Sequence, residues 1–131
     1  MIAIDSSALV AILLNEPERD AFFDAIAGAS RRSVSAVTVL ESGLVMHGRL
    51  KQAGVASLLE FLSFIEARIV PFGEAEARIA LDANSRYGEG IDPKARLNFG
   101  DCASYALAKN QNIPLLFKGE YFEATDIQSA I

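Results

Sequence analysis

The sequence predicts an α/β fold built on a parallel sheet with helices over both faces. Three observations lead there. Short strand-like runs recur along the chain, at Ile2 to Ile4, around Ser33 to Ser35, in "RIVPF" and in "PLLFK"; continuous apolar runs of this length suit strands buried on both sides. Helix-length segments separate these runs, the pattern of crossover units. No internal repeat, linker or low-complexity stretch divides the 131 residues, so a single domain over 1–131 is expected, long enough to bury a core.

The elements follow in order. Ile2 to Ile4 is the first strand and Ser6 to Leu14 the first helix. Pro17 suits the start of a second helix, which runs through "ERDAFFDAIAG" to near Gly28. After the second strand, a helix is predicted from about Val37 to Gln52, with Gly54 as its stop. "ASLLEFLSFIEA" reads as another helix and "RIVPF" as the third strand. Glu74 to Tyr87 is helical, "GEGIDPKARLN" a loop, and Gly100 to Gln111 a helix made mostly of apolar or small residues. "PLLFK" is the fourth strand, and a fifth is expected near Asp126 to Gln128. In sheets of this kind ligands bind beyond the carboxyl ends of the strands. Asp5 and the stretch Lys118-Gly119-Glu120 lie at such ends.

Composition narrows the function. The net charge of −5 argues against duplex binding driven by counterion release alone. It leaves room for a nucleic-acid enzyme, because a carboxylate cluster that holds cations is itself acidic. One cysteine, Cys102, allows neither an intrachain disulfide nor a cysteine-rich zinc site. The amino terminus lacks the basic region of a signal peptide, and the longest apolar run, Ala8 to Leu14, is too short to cross a bilayer. A cytoplasmic protein with no membrane contact is expected.

Three acids stand where apolar residues would be ordinary. Asp5 ends the first strand; it reads equally as a cap for the helix that follows and as a site residue. Glu41 falls inside a predicted apolar stripe of Val37, Leu40, Leu44 and Val45, where it either reaches water at the stripe's edge or meets a positive charge. Asp101 sits in the first turn of a helix that Asn98 is placed to cap. Each has a plain reading alone. Together, at the starts and inner faces of helices in one small sheet, they suggest a cation site. Two carboxylates about 4 Å apart repel by about 4 kcal/mol at an effective dielectric near 20. All-oxygen ligands suit Mg²⁺ or Mn²⁺. His47 is the only histidine, so a two-histidine ribonuclease mechanism is not available.

The blocks "IDSSALVAILLNEPE", "TVLESGLV", "RLNFGDCASYALAK" and "PLLFKGEYFEATDI" resemble the PIN-domain family, and within it the VapC-type toxins. The resemblance runs from Ile2 to Ile127. It implies a three-layer α/β/α sandwich with four or five parallel strands, and Mg²⁺- or Mn²⁺-dependent endoribonuclease activity on structured RNA such as transfer RNA. It also implies a homodimer and a cognate VapB-like antitoxin. By matching positions, Asp5, Glu41 and Asp101 would be metal ligands and catalytic, with Ser7 supporting them. Similar toxins carry a fourth acid where this chain has Tyr121; Asp126 or Glu120 could replace it. Lys94, Arg96 and Lys118 are candidate RNA contacts, whereas Arg31 and Arg32 precede the second strand and fall at the opposite sheet edge. Surplus apolar residues, Leu59 and Phe64 in one helix and the adjacent Phe22 and Phe23 in another, suit an antitoxin groove or a dimer seam. The rivals are a receiver-type signalling domain and a weakened PIN fold that only binds. The receiver reading lacks its acid pair near the first strand and an Asp in "RIVPFGE" after the third.

Overall fold

The computed structural model describes residues 1–131. In chain order the elements are β1 (Ile2–Ile4), α1 (Ser6–Leu13), α2 (Arg19–Gly28), β2 (Arg32–Ser35), α3 (Ala36–Phe64), β3 (Arg68–Val70), α4 (Glu74–Tyr87), α5 (Phe99–Gln111) and β4 (Leu115–Leu116). A single 3₁₀ turn, Phe122–Ala124, follows. The strands form one parallel sheet in the order β3-β2-β1-β4.

Alternation along the strands divides the core into two layers around this sheet. Ile2, Ile4 and Val34 pack with Leu9, Ile12, Phe22, Ile26, Leu58 and Leu62 of α1, α2 and the end of α3. Ala3, Leu115 and Phe117 pack with Ala83, Leu97, Tyr105 and Leu107 of α4, α5 and the loop between them. This is the α/β/α sandwich. The chain winds outward from β1 through β2 to β3, then crosses back to β4 on the far side of β1. That reversal opens a crevice between the carboxyl ends of β1 and β4, where such folds bind ligands.

The fifth strand does not form. Residues after Asp126 touch the sheet through one isolated bridge, Leu115 to Ser129. Asp126 is instead drawn into ion pairs on α5, and the Thr125 hydroxyl closes a local turn onto Phe122. The two helices expected on either side of Gly54 form the two arms of α3, which meet at a break with non-helical backbone at Lys51 (φ 57°, ψ −145°), three residues before Gly54. Gly54 is therefore not a stop. It is buried past the break, and a Cβ there would collide with the backbone carbonyl of Met46.

The predicted stripe on α3 is reversed. Leu40, Leu44 and Val45 are exposed at 64%, 66% and 41%, and Thr38, Ser42 and Met46 face inward. The apolar period was real, but the inner face is polar because it borders the crevice. In the second arm the expected pattern holds: Leu58, Leu62 and Ile65 are buried, and Leu59 and Phe64 are exposed. No helix is long and apolar enough to cross a membrane.

Gly54→Ala is expected to cost about 1–3 kcal/mol of stability, since backbone must shift to admit a methyl group. Urea unfolding checks this; an unchanged midpoint would refute the close approach.

Candidate active site

Asp5 follows β1 with an extended backbone and caps α1, its Oδ2 accepting the Ser7 backbone N–H at 3.0 Å. The Ser7 hydroxyl donates to the same oxygen at 2.6 Å, and the Lys118 backbone N–H donates to Ser7 Oγ at 2.9 Å. The other oxygen, Oδ1, accepts from Ser104 Oγ of α5 at 2.5 Å. Because the Ser104 proton goes to Asp5, Thr38 of α3 donates to Ser104 across 3.1 Å. Asp5 is 1% exposed, a carboxylate fixed by groups from α1, α5 and β4's end. Ser7 is thus placed as expected. Ser104 and Thr38 went unread in the sequence; the available signal was a hydroxyl inside the apolar run of α5, one turn after Asp101.

Glu41 enters from α3, whose start Ser35 caps through a bond from the Val37 N–H. Its carboxyl lies against Gly100, so close that any Cβ at position 100 would overlap it. A side chain at position 100 would make the Glu41 carboxyl swing away. Burial pushes Glu41 above the ordinary carboxylate range; the bond to Ser6 opposes this and the charge of Asp5 adds to it. Glu41 Oε1 is a buried oxygen with no hydrogen-bond partner.

Asp101 stands in the first turn of α5. Asn98 Oδ1 accepts its N–H at 2.9 Å, and Asp101 Oδ2 accepts the Asn98 N–H at 3.0 Å, a reciprocal capping box. Burial pushes its carboxyl up to about 7, against the Asn98 bond, with further contributions from Asp5, Glu41 and Glu89. Glu89 is an acid of this neighbourhood that the sequence reading passed over.

Asp5, Glu41 and Asp101 thus arrive from three separate elements and act on one another's charge. They are not a closed cage: no three acid, histidine or cysteine side chains stand ready around one point. Both oxygens of Asp5 and one of Asp101 already accept hydrogen bonds. The donor set nevertheless fits a hard divalent cation. It is all carboxylate, one buried oxygen is unpartnered, and Gly100 keeps the space beside Glu41 open.

The other candidates lie further out. Asp126 is held by Tyr105 (2.7 Å) and Lys109 (2.8 Å), one and two turns along α5 from Asp101. Burial opposes its charge, but these partners hold its carboxyl below the ordinary range. It is committed to that network and does not replace the missing acid. Glu120 is exposed in the turn after β4. The Lys118 amine is held by Glu16 (2.7 Å) and Glu18 (3.1 Å), so only its backbone reaches the site. Lys94 is exposed, and the guanidinium of Arg96 lies 5.9 Å from the centre of the Tyr121 ring. Arg32 bonds the last carbonyls of α2, and Arg31 reaches Gln111 at the far end of α5.

The PIN domain family model matches residues 2–128. The chain is 40% identical over 128 residues to Ribonuclease VapC28 of Mycobacterium tuberculosis, covering 98% of this chain and 96% of that protein. The fold is similar to the crystal structure of VapC20 of Mycobacterium tuberculosis, described as a sarcin–ricin loop cleaving toxin (TM-score 0.77, 18% identity, 97% and 96% of the two chains). It is also similar to a chain of a toxin–antitoxin complex from Klebsiella pneumoniae (TM-score 0.73, 17% identity, 96% and 93%). A polar crevice built by Asp5, Glu41 and Asp101 at the reversal point of a four-stranded sheet, in a chain matched end to end, places the protein in the PIN-domain family, among the VapC ribonucleases.

Proposed function

We propose that this chain is a divalent-metal-dependent endoribonuclease, the toxin of a toxin–antitoxin pair, acting on structured RNA such as transfer RNA. The observation that carries the reading is the convergence of Asp5, Glu41 and Asp101 from three elements onto one crevice, with Glu41 Oε1 buried and unpartnered. Asp5, Glu41 and Asp101 would hold Mg²⁺ or Mn²⁺, which when bound lowers the pKa of water and offsets charge on a phosphodiester.

The residues prepare that chemistry in distinct ways. Ser7 and Ser104 fix the rotamer of Asp5, so little order is lost on binding. Asp101, whose carboxyl burial pushes up to about 7, would bind a divalent cation in competition with a proton. Lys94 and Arg96, exposed on the loop feeding α5, provide positive charge for phosphates beside a site otherwise negative. The lone histidine, His47, is exposed on α3 and takes no part. Attack by water leaves a 3′-hydroxyl and a 5′-phosphate.

Two apolar surfaces support the remaining partners. A groove lined by Ile12, Leu13, Phe23, Phe61 and Phe64 suits an amphipathic segment of a VapB-like antitoxin. The exposed Leu40, Leu44, Leu81 and Phe99 suit a homodimer seam.

Asp5→Asn and Asp101→Asn are each expected to lower cleavage of total transfer RNA by two or more orders of magnitude on the order expected for lost electrostatic stabilisation, with the circular dichroism spectrum retained. Products ending in a 2′,3′-cyclic phosphate, or no cleavage by the unaltered chain above a chelated control, would overturn the reading.

Gly100→Ala should push Glu41 aside and impair cleavage while the chain still folds. Activity equal to that of the unaltered protein would show that the Glu41 position is dispensable.

The raised Asp101 carboxyl also has a pH signature. Its folded value of about 7 lies above the ordinary 3.8, so between these values the folded state binds more protons than the unfolded one. Its contribution to stability is therefore full at low pH and is lost as pH rises through about 7. Without metal, the melting temperature should fall between about pH 5 and about pH 8. Added Mg²⁺ should restore it most at the upper end; equal stabilisation at both ends would count against these ligands.

A further inference from the structure

Tyr121 and Arg96 belong to two different loops yet meet beside the crevice, the guanidinium 5.9 Å from the ring centre. Both side chains face outward. Phe122 is 3% exposed and packs on Phe117 with ring centres 5.2 Å apart, which leaves its neighbour Tyr121 facing outward at 47% exposure. Arg96 lies between Ala95 and Leu97, both essentially buried, so its side chain is likewise turned out. Its loop is pinned by Asp92 Oδ1, which accepts the N–H groups of Lys94 (2.8 Å) and Ala95 (3.0 Å). The Leu97 N–H donates to the Tyr87 carbonyl at 2.9 Å.

Both loops adjoin elements of the acid cluster. Leu97 leads through Asn98 into the turn of α5 that carries Asp101. Tyr121 follows the Lys118 backbone N–H that holds Ser7. A half-open aromatic face with a fixed cation against it is the surface on which single-stranded bases stack, since every base has a π-face and the guanidinium attracts the adjoining phosphate.

We propose that Tyr121, positioned by Arg96, is a stacking platform for an unpaired nucleobase of the RNA next to the scissile phosphate. The inference rests on the ribonuclease reading and adds a substrate-positioning residue to it. Tyr121 is not a weak stand-in for an acid; it trades charge for a grip on the substrate. Such a platform favours RNA whose bases are splayed out of a helix, as in a loop.

The test uses a short single-stranded RNA of mixed sequence, titrated into the full chain in EDTA so that binding is read without cleavage. The protein has no tryptophan and three tyrosines, of which Tyr121 is the exposed one, so its emission is directly visible. RNA is expected to quench that emission in the unaltered chain. Tyr121→Leu should lose the quenching and weaken binding on the order of ten-fold, and Tyr121→Phe should restore affinity to within about two-fold. With magnesium, Tyr121→Leu should raise KM far more than it lowers kcat. No quenching in the unaltered chain, or equal affinity in Tyr121→Leu, would overturn the platform while leaving cleavage to be judged by the Asp5 and Asp101 variants. Failure of the unaltered chain to cleave any RNA would overturn the nuclease reading, whatever the binding shows.

Discussion

Mutual repulsion among carboxylates in a partly dry crevice is the constraint around which this molecule is arranged. Asp5, Glu41 and Asp101 are each costly to bury as anions, and the chain answers each cost locally. Asp5 receives four-sided support from Ser7, Ser104 and, behind them, Thr38 and the Lys118 backbone. Asp101 keeps one oxygen on the Asn98 N–H. Glu41 is the least supported, with one buried oxygen left without a partner. Support therefore falls from Asp5 through Asp101 to Glu41, whose carboxylate is the least fixed of the three.

Helix capping and site chemistry prove to be one arrangement here. A carboxylate has two oxygens and about four lone-pair sites, so the cap bond to Ser7 uses only part of Asp5. The same is true of Asp101 in its capping box. Placing the acids at helix starts also sets them against the positive ends of the helix dipoles. That partly offsets burial without neutralising the cluster, which stays able to take a cation.

The polar crevice also explains the odd surface of α3. Its first arm turns Thr38, Glu41, Ser42 and Met46 inward and leaves Leu40, Leu44 and Val45 outside. An apolar ridge of this size on the outer side of a site-bearing helix gains most when another chain covers it. The acid-bearing face and the apolar ridge are thus two faces of one helix, and the break at Lys51 lets the second arm return to ordinary core packing through Leu58 and Leu62.

The order of helices and of the first four strands, and the parallel sheet they form, were legible in the sequence, because short unbroken strands and helix caps are local signals that need no partner to be read. The sequence misjudged what depends on distant neighbours. The stripe of α3 has an apolar period, but period does not say which side meets the core, and a polar crevice inverted the answer. Asp126 looks like a spare ligand in one dimension, yet Tyr105 and Lys109 claim it in three. Gly100 and Ser104 lie in a recognisable block, but only the meeting of α3, α5 and β1 shows what they do: one makes room for Glu41 and the other bonds Asp5. Tertiary structure decided these because a side chain's role follows from the charge and volume of atoms far away in sequence, and those are fixed only when the sheet brings its carboxyl ends together.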